Sequence, residues 1–282
     1  MKYNIAAAVI LYNPAKETIS NIESYLRHVS LLVIVDNSDS PQYDIIKWAS
    51  KNPDIHVISN DVNKGIATAL NQGIRYASSK GFEWILTMDQ DSYFDNDMIT
   101  NYLTLFSKYK FHENIAIMGP IYENTTPIET TEESNKINTV ITSGSIINIS
   151  VYNMLKGFKE ELFIDGVDHD YCFRARISGF NIIQFNKIVM NHNLGELVEL
   201  RNFFTGKTKS KRLHSPVRMY YFVRNTNYII KKYRKYFPED VKKKDLLIRI
   251  KNNLLYGKKK IQILKSILKG WIDFKRNKFG PK

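Results

Sequence analysis

Along the first 120 residues of the chain, apolar and polar positions follow two rhythms in turn. Residues 5–12 and 31–36 are short runs, rich in β-branched side chains and apolar at successive positions. Strands buried on both faces of a parallel sheet read this way. Residues 56–60 and 84–89 repeat the pattern, and 115–119 supply a fifth run. Between them the apolar positions take a helical period. It is clearest over 65–79, where Ile66, Leu70, Ile74 and Ala77 make one stripe and Gly81 follows as a stop. Such alternation predicts an α/β fold with a mostly parallel sheet flanked by helices.

Ligands of α/β sheets gather beyond the carboxyl ends of the strands. Here those ends carry Tyr12-Asn13-Pro14, Asp36-Asn37-Ser38, Asn60-Asp61 and Asp89-Gln90-Asp91. Further on, 123–136 is rich in Thr, Glu, Asn and Pro and reads as an exposed loop. A helix over 150–156 with Ser150 as its cap follows, and Asp95 reads as the cap of an earlier helix. A helix over 168–178 stops at Gly179, and 181–190 is strand-like. From Ser215 the pattern is helical throughout, over 216–234, 240–255 and 259–274. The expected organisation is a catalytic α/β domain over 1–214 and a basic helical extension over 215–282.

Charge sharpens that division. The chain holds 41 Lys and Arg against 28 Asp and Glu, a net charge of +13. From Arg201 onward there are 25 basic and 4 acidic residues, so the first 200 residues are net negative. An acidic part can supply carboxylates to a metal, and a basic tail seeks an anionic partner. The longest apolar runs fall far short of the roughly 20 residues of a membrane-spanning helix. The opening MKYNIAAAVILYNP runs into Asn-Pro and reads as a buried strand, not a leader. The single cysteine, Cys172, excludes an intrachain disulfide and a multi-cysteine zinc site, and implies a reducing, cytoplasmic setting.

Four clusters carry candidate chemistry. Asp89 and Asp91, two apart at a strand end, can turn toward one hard cation, or can simply form a surface turn. Asp36 could accept the imide N–H of a pyrimidine base, or close its strand as an Asx turn. Lys64-Gly65 opens a helix whose N-terminal N–H groups suit an anion, and Asn71 inside it is expected to bond a neighbouring loop. Asp168 and Asp170 stand in the first turn of a helix, where dipole stabilisation alone explains acids. One of them could instead serve as a general base, with Arg174 spaced to hold Asp170. His192 is a structural residue or a ligand. Arg218, Tyr221, Arg224 and Asn225 fall within two helical turns, and the guanidinium fork suits phosphate.

Taken in order, VILYNP, VIVDNS, NKGIATALNQG, LTMDQDS, VDHDYCFR with HNLG after it, and RMYYFVRN resemble the inverting glycosyltransferases of family 2. That family has the GT-A fold, and the resemblance is greatest to its bacterial rhamnosyltransferase branch. It extends from residue 5 to residue 233. It implies a nucleotide-sugar donor, a divalent metal (Mg or Mn) and direct displacement at the anomeric carbon. By position, Asp36, Asn37, Lys64, Gly65 and Asp89 would contact the nucleotide, and Asp89, Asp91 and His192 the metal. Arg218, Tyr221 and Arg224 would lie near the diphosphate. Asp168 matches the catalytic base, with Asp170 in reserve. Many members have Glu where this chain has Val167, and His169 follows the base here. The donor implied is dTDP-L-rhamnose, with a UDP-hexose or UDP-galactofuranose as the alternative. The acceptor implied is a hydroxyl of a cell-surface glycan or lipid-linked glycan.

In the tail, Ile261, Leu264, Ile267, Leu268, Trp271 and Ile272 share a helical face, with lysines largely off it. Residues 258–278 therefore suit the inner face of an anionic membrane, or a face that packs on protein. A non-catalytic polyanion- or nucleic-acid-binding protein is the rival class. No nucleic-acid-binding motif appears in the sequence, so no nucleic acid partner is expected.

Overall fold

In the computed structural model, β1 (Tyr3–Leu11) is buried at every position from Ile5 to Leu11. It pairs in parallel on both sides, which explains why its sequence lacks alternation. The structure describes residues 2–95, 97–110, 114–123, 131–192, 197–201 and 208–282. The chain divides into two units, residues 1–160 with 167–193, and residues 161–166 with 194–282.

In the first unit β1 is followed by α1 (Thr18–Leu26), β2 (Val29–Asp36), α2 (Tyr43–Ala49), β3 (Ile55–Ser59) and α3 (Ile66–Ser79). Next come β4 (Trp84–Asp89), β5 (Ser92–Tyr93), α4 (Met98–Tyr109), β6 (Ile115–Tyr122), β7 (Ser134–Ile137) and β8 (Ser145–Asn148). Helices α5 (Ile149–Met154) and α6 (Val167–Ile177) precede β9 (Asn181–His192). The sheet runs β3-β2-β1-β4-β8-β6-β9-β5, with β7 also on β9. Strands β3, β2, β1 and β4 are mutually parallel, as are β6 and β9, and β8 runs antiparallel between the two groups. The expected α/β architecture is therefore present, with three short antiparallel strands added to it.

Three local expectations are corrected. Asn148, not Ser150, caps α5: its side chain accepts from the N–H groups of Ser150 and Val151. Its β/extended backbone puts Asn148 one residue before the first helical turn, where an N-cap belongs. Asp95 does not cap α4, whose N-cap is Asp97; Asn191 Nδ2 donates to the Asp95 carboxylate at 2.5 Å. Within 123–136, β7 begins at Ser134, while 124–130 lie outside the described residues.

The second unit contains the hairpin β10 (Leu197–Arg201) and β11 (Thr208–Arg212), which the sequence pattern missed. It continues with α7 (Pro216–Tyr233), α8 (Lys243–Tyr256) and α9 (Lys260–Lys275). Ser215 caps α7 through its hydroxyl, with Pro216 at the position where a missing N–H is harmless.

Asn71, 1% exposed on α3, does bond a neighbouring loop. It donates to Phe158 O and Glu160 Oε1, and accepts from the Tyr152 hydroxyl and the Phe158 N–H. Asn71→Ala strands several of these buried groups, so it should destabilise the fold by about 1–3 kcal/mol. Urea unfolding measures this, and an unchanged midpoint would mean that water replaces the amide.

Candidate functional site

Register brings the strand ends of the first unit into one row. Leu11 lies opposite Asp36, Ile10 opposite Asp89, and Asp36 opposite Ser59. Three parallel strands therefore deliver Tyr12, Asp36 and Asp89 to the same edge. Gln90 fixes the turn after β4: its Oε1 accepts from the Tyr12 N–H at 2.7 Å, and its backbone carbonyl accepts from Asn21.

That turn sets Asp89 and Asp91 on one side, and the two-residue strand β5 then pairs Ser92 with His192. One ligand atom from each of Asp89, Asp91 and His192 falls within 4.8 Å of the others. His192 Nε2 stands 3.9 Å from Asp89 Oδ2, and Nδ1 3.4 Å from Asp91 Oδ1. Among the described residues Asp91 Oδ1 is buried without a hydrogen-bond partner, the condition a bound cation relieves. Two carboxylates and one imidazole suit a hard or borderline divalent ion and leave positions for phosphate oxygens. The residues present thus fit the metal that the resemblance implies.

Two serines, both essentially inaccessible, support this group. The Asp89 N–H donates to Ser143 Oγ at 3.1 Å, Ser143 and Ser92 share a hydroxyl hydrogen bond at 2.8 Å, and Ser92 Oγ meets His192 Nδ1 at 2.6 Å. With Nδ1 engaged, Nε2 is the nitrogen left to face a cation, and a cation there selects the tautomer whose Nδ1–H donates to Ser92. Ser92 was visible within the LTMDQDS segment, whereas Ser143 carried no sequence signal.

Asp168 stands in the first turn of α6 with its side chain 21% exposed. Burial pushes its pKa up, but the charge of His169 and the hydrogen bonds from the His169 ring and N–H outweigh this and leave it lowered. The buried phenol of Tyr122 relates this residue to the Asp-Gln-Asp turn. Burial first, then Asp168, then Asp89, push the Tyr122 pKa well up. Both carboxylates therefore act on one hydroxyl, which donates to Ser143 O at 3.0 Å. Asp170 is fully buried in an ion pair with Arg174 at 2.7 Å, so the reserve base is held inside the fold. Cys172 is also fully buried, and burial pushes its thiol up to about 12.

Around Asp36 both alternatives can coexist. Oδ1 accepts from the Ser38 N–H and Oδ2 from the Gln42 N–H, which closes the turn. A carboxylate keeps further lone pairs for a base N–H. Asn37 accepts from Asn60 and from the Lys64 N–H, and donates to Gly65 O, tying β2 to the start of α3. Gly65 has φ +85°, a region open to glycine, and Lys64 is exposed.

In the second unit Arg218 is half-exposed and holds Asp165 at 3.3 Å. Arg224 is 1% exposed, and its guanidinium makes five hydrogen bonds: to Asn225, Tyr220, Gly280 O, Glu161 O and Leu162 O. Asn225 donates to the carbonyls of Leu162, Ile164 and Asp165. This pair fastens loop 161–166, in which Phe163 and Asp165 take positive φ values of 66° and 65°. Tyr221 is buried too, stacked on Phe163 and accepting from the Lys282 N–H. Arg224 and Tyr221 thus face protein, and the half-exposed guanidinium of this group is that of Arg218. The segment 193–196, which completes the HNLG motif, lies outside the described residues.

The family profile described as Glycosyl transferase family 2 matches residues 7–183. The dTDP-rhamnosyl transferase RfbF of Shigella flexneri is 30% identical over 253 residues, 82% of this chain and 81% of that protein. The low-salt glycan biosynthesis hexosyltransferase Agl10 of Haloferax volcanii is 26% identical over 66% of each. Among solved structures, S. aureus TarS superposes with a TM-score of 0.61 at 14% identity, over 97% of this chain. GalNAc-T7 with UDP, GalNAc and Mn2+ superposes with a TM-score of 0.60 at 13% identity, over 83% of this chain. The chain spans 49% of each of those two, and both likenesses speak for the fold.

Removing the hydroxyl that orients His192 should weaken cation binding without unfolding the chain. Ser92→Ala is expected to lower Mn2+ affinity roughly 10- to 100-fold, read from the paramagnetic resonance of free Mn2+. Unchanged affinity would show that Ser92 does not orient the imidazole.

Proposed function

We propose, on the premise that the chain belongs to glycosyl transferase family 2, that it transfers L-rhamnose from dTDP-L-rhamnose with inversion. The acceptor would be a hydroxyl of a glycan or lipid-linked glycan, and the reaction cytoplasmic, at the membrane's inner face. The donor is supported by the likeness to the Shigella flexneri dTDP-rhamnosyl transferase. The observation that carries the site is the convergence of Asp89, Asp91 and His192, one ligand atom of each lying within 4.8 Å of the others.

Under this reading Asp89, Asp91 and His192 would hold Mg or Mn, which supplies positive charge to the leaving diphosphate. Asp168 takes the proton of the acceptor hydroxyl as that oxygen attacks the anomeric carbon. Its depressed pKa keeps it ionised, hence competent as a base, at neutral pH. One accessible carboxylate suits direct displacement, since Asp170 is closed off by Arg174. Asp36, Asn37, Lys64 and Gly65 receive the nucleotide, and the resemblance gives Arg218 a part in holding the diphosphate. Arg224 and Asn225 act as positioning residues, through the loop that leads into α6.

Purified chain incubated with Mn2+ or Mg2+ and a panel of dTDP- and UDP-sugars tests the reading. Turnover of dTDP-rhamnose is expected, reduced by about 10²- to 10⁴-fold in Asp168→Asn while nucleotide binding persists. Asp91→Asn should lose metal binding and turnover together. Turnover of a UDP-hexose in place of dTDP-rhamnose would overturn the donor assignment. Full activity in Asp168→Asn would overturn the base.

His169 offers a separate test with a definite sign. Its charge and hydrogen bonds lower the Asp168 pKa, so His169→Ala should raise it. The acid limb of the pH–rate profile should then move to higher pH. An acid limb that stays in place would mean that another group governs it.

A further inference from the structure

Helix α9 has apolar residues on two faces. The face it packs within the second unit carries Ile263, Ser266, Gly270 and Asp273, with Ile267 and Phe274 half-buried beside them. Gly270 sits so close to α7 that an added Cβ would lie 2.5 Å from Tyr220 O. Asp273 accepts from the Tyr220 hydroxyl at 2.7 Å, and burial with this bond pushes that phenol up to about 12. The opposite face shows Ile261, Leu264, Leu268, Trp271 and Ile272, between 40% and 73% exposed. Their spacing of 3, 7, 10 and 11 residues from Ile261 is that of a single stripe. Helix α8 adds exposed Leu247, Ile248 and Leu255.

A helix that leaves five large apolar residues in one exposed stripe, in addition to the face it packs, is arranged for a second, apolar surrounding. We propose that this stripe seats in the interface of an anionic lipid bilayer. Lys265, Lys269 and Arg276 follow the stripe along one flank, and Lys275 lies over the Trp271 ring at 5.5 Å. Basic residues beside an apolar stripe bearing a tryptophan match lipid headgroups above acyl chains. Charge decides between lipid and a second copy of the chain. With 25 basic and 4 acidic residues from Arg201 onward, two copies meeting through this face would set like charges together, whereas an anionic bilayer neutralises them. Among the described residues no helix is long and apolar enough to cross a membrane, so the helix lies along the surface. The inference rests on the proposed function for its purpose, reaching a lipid-linked acceptor, and on the helix alone for its evidence.

Flotation of the full chain with phosphatidylcholine vesicles, with and without phosphatidylglycerol, tests it. Binding is expected only with the anionic lipid and should weaken as salt rises. Leu268→Ser with Trp271→Ser, and separately Lys265→Glu with Lys269→Glu, should each reduce partition about tenfold or more. Brominated lipid should quench Trp271 fluorescence. Nucleotide binding by calorimetry is expected to be unchanged in both variants, which separates the two readings: vesicle binding without nucleotide binding would sink the transferase and leave this surface. Absence of binding to anionic vesicles would overturn the inference. So would self-association in the ultracentrifuge that the Leu268→Ser, Trp271→Ser variant abolishes, since the stripe would then be a contact between copies.

Discussion

The parallel pairing of β1 with both β2 and β4 is the constraint from which the candidate site follows. Each of these strands is a buried apolar run followed by polar residues, so a shift in register would draw a polar end such as Asp36 or Asp89 into the buried sheet. With the register locked, Leu11 meets Asp36 and Ile10 meets Asp89. The polar residues that end each strand must then emerge side by side. Gln90 bonds the backbone of Tyr12 and ties the Asp-Gln-Asp turn to the neighbouring strand end. The metal-ligand geometry is thus inherited from the sheet.

Two reinforcements convert that edge into chemistry. The short pairing of β5 with β9 brings His192 back across about a hundred residues of chain, and Ser92 and Ser143 set its ring. A second reinforcement acts around α6, where the charge and hydrogen bonds of His169 overcome burial to keep Asp168 acidic. Burial thus closes off Asp170 and leaves Asp168 available. Two acids in one helical turn differ in access because one has an arginine at hydrogen-bond distance and is fully buried, and the other a half-exposed histidine.

Much of this was legible in the sequence because it depends on local pattern. The strands ending at Asp36 and Asp89 announce themselves as continuous apolar runs. Asn71, disfavoured inside a helix, signalled a bonded loop, and the four-residue spacing of Asp170 and Arg174 foretold their pair. What stayed hidden depends on long-range pairing. Strand β5 is two residues long, so only the family resemblance, and no local pattern, put His192 with the aspartates. The cap of α5 was misread because Asn148 and Ser150 are both good capping residues, and the turn geometry chose between them. Arg224 reads as a phosphate ligand by type, yet five hydrogen bonds within its unit enclose it, a fact of packing that spacing does not carry. The stripe on α9 was legible, and the structure leaves it exposed except at Ile267, which is half-buried toward the packed face.

The central claim is a single displacement assisted by one carboxylate, and its most direct test is the stereochemistry of the product. Proton NMR of the newly formed glycoside, recorded early in turnover of dTDP-rhamnose, reads the anomeric configuration before any equilibration. The account predicts a configuration opposite to that of the donor. Retention would require a covalent or internally shielded intermediate, for which Asp168 alone gives no provision, and would contradict it.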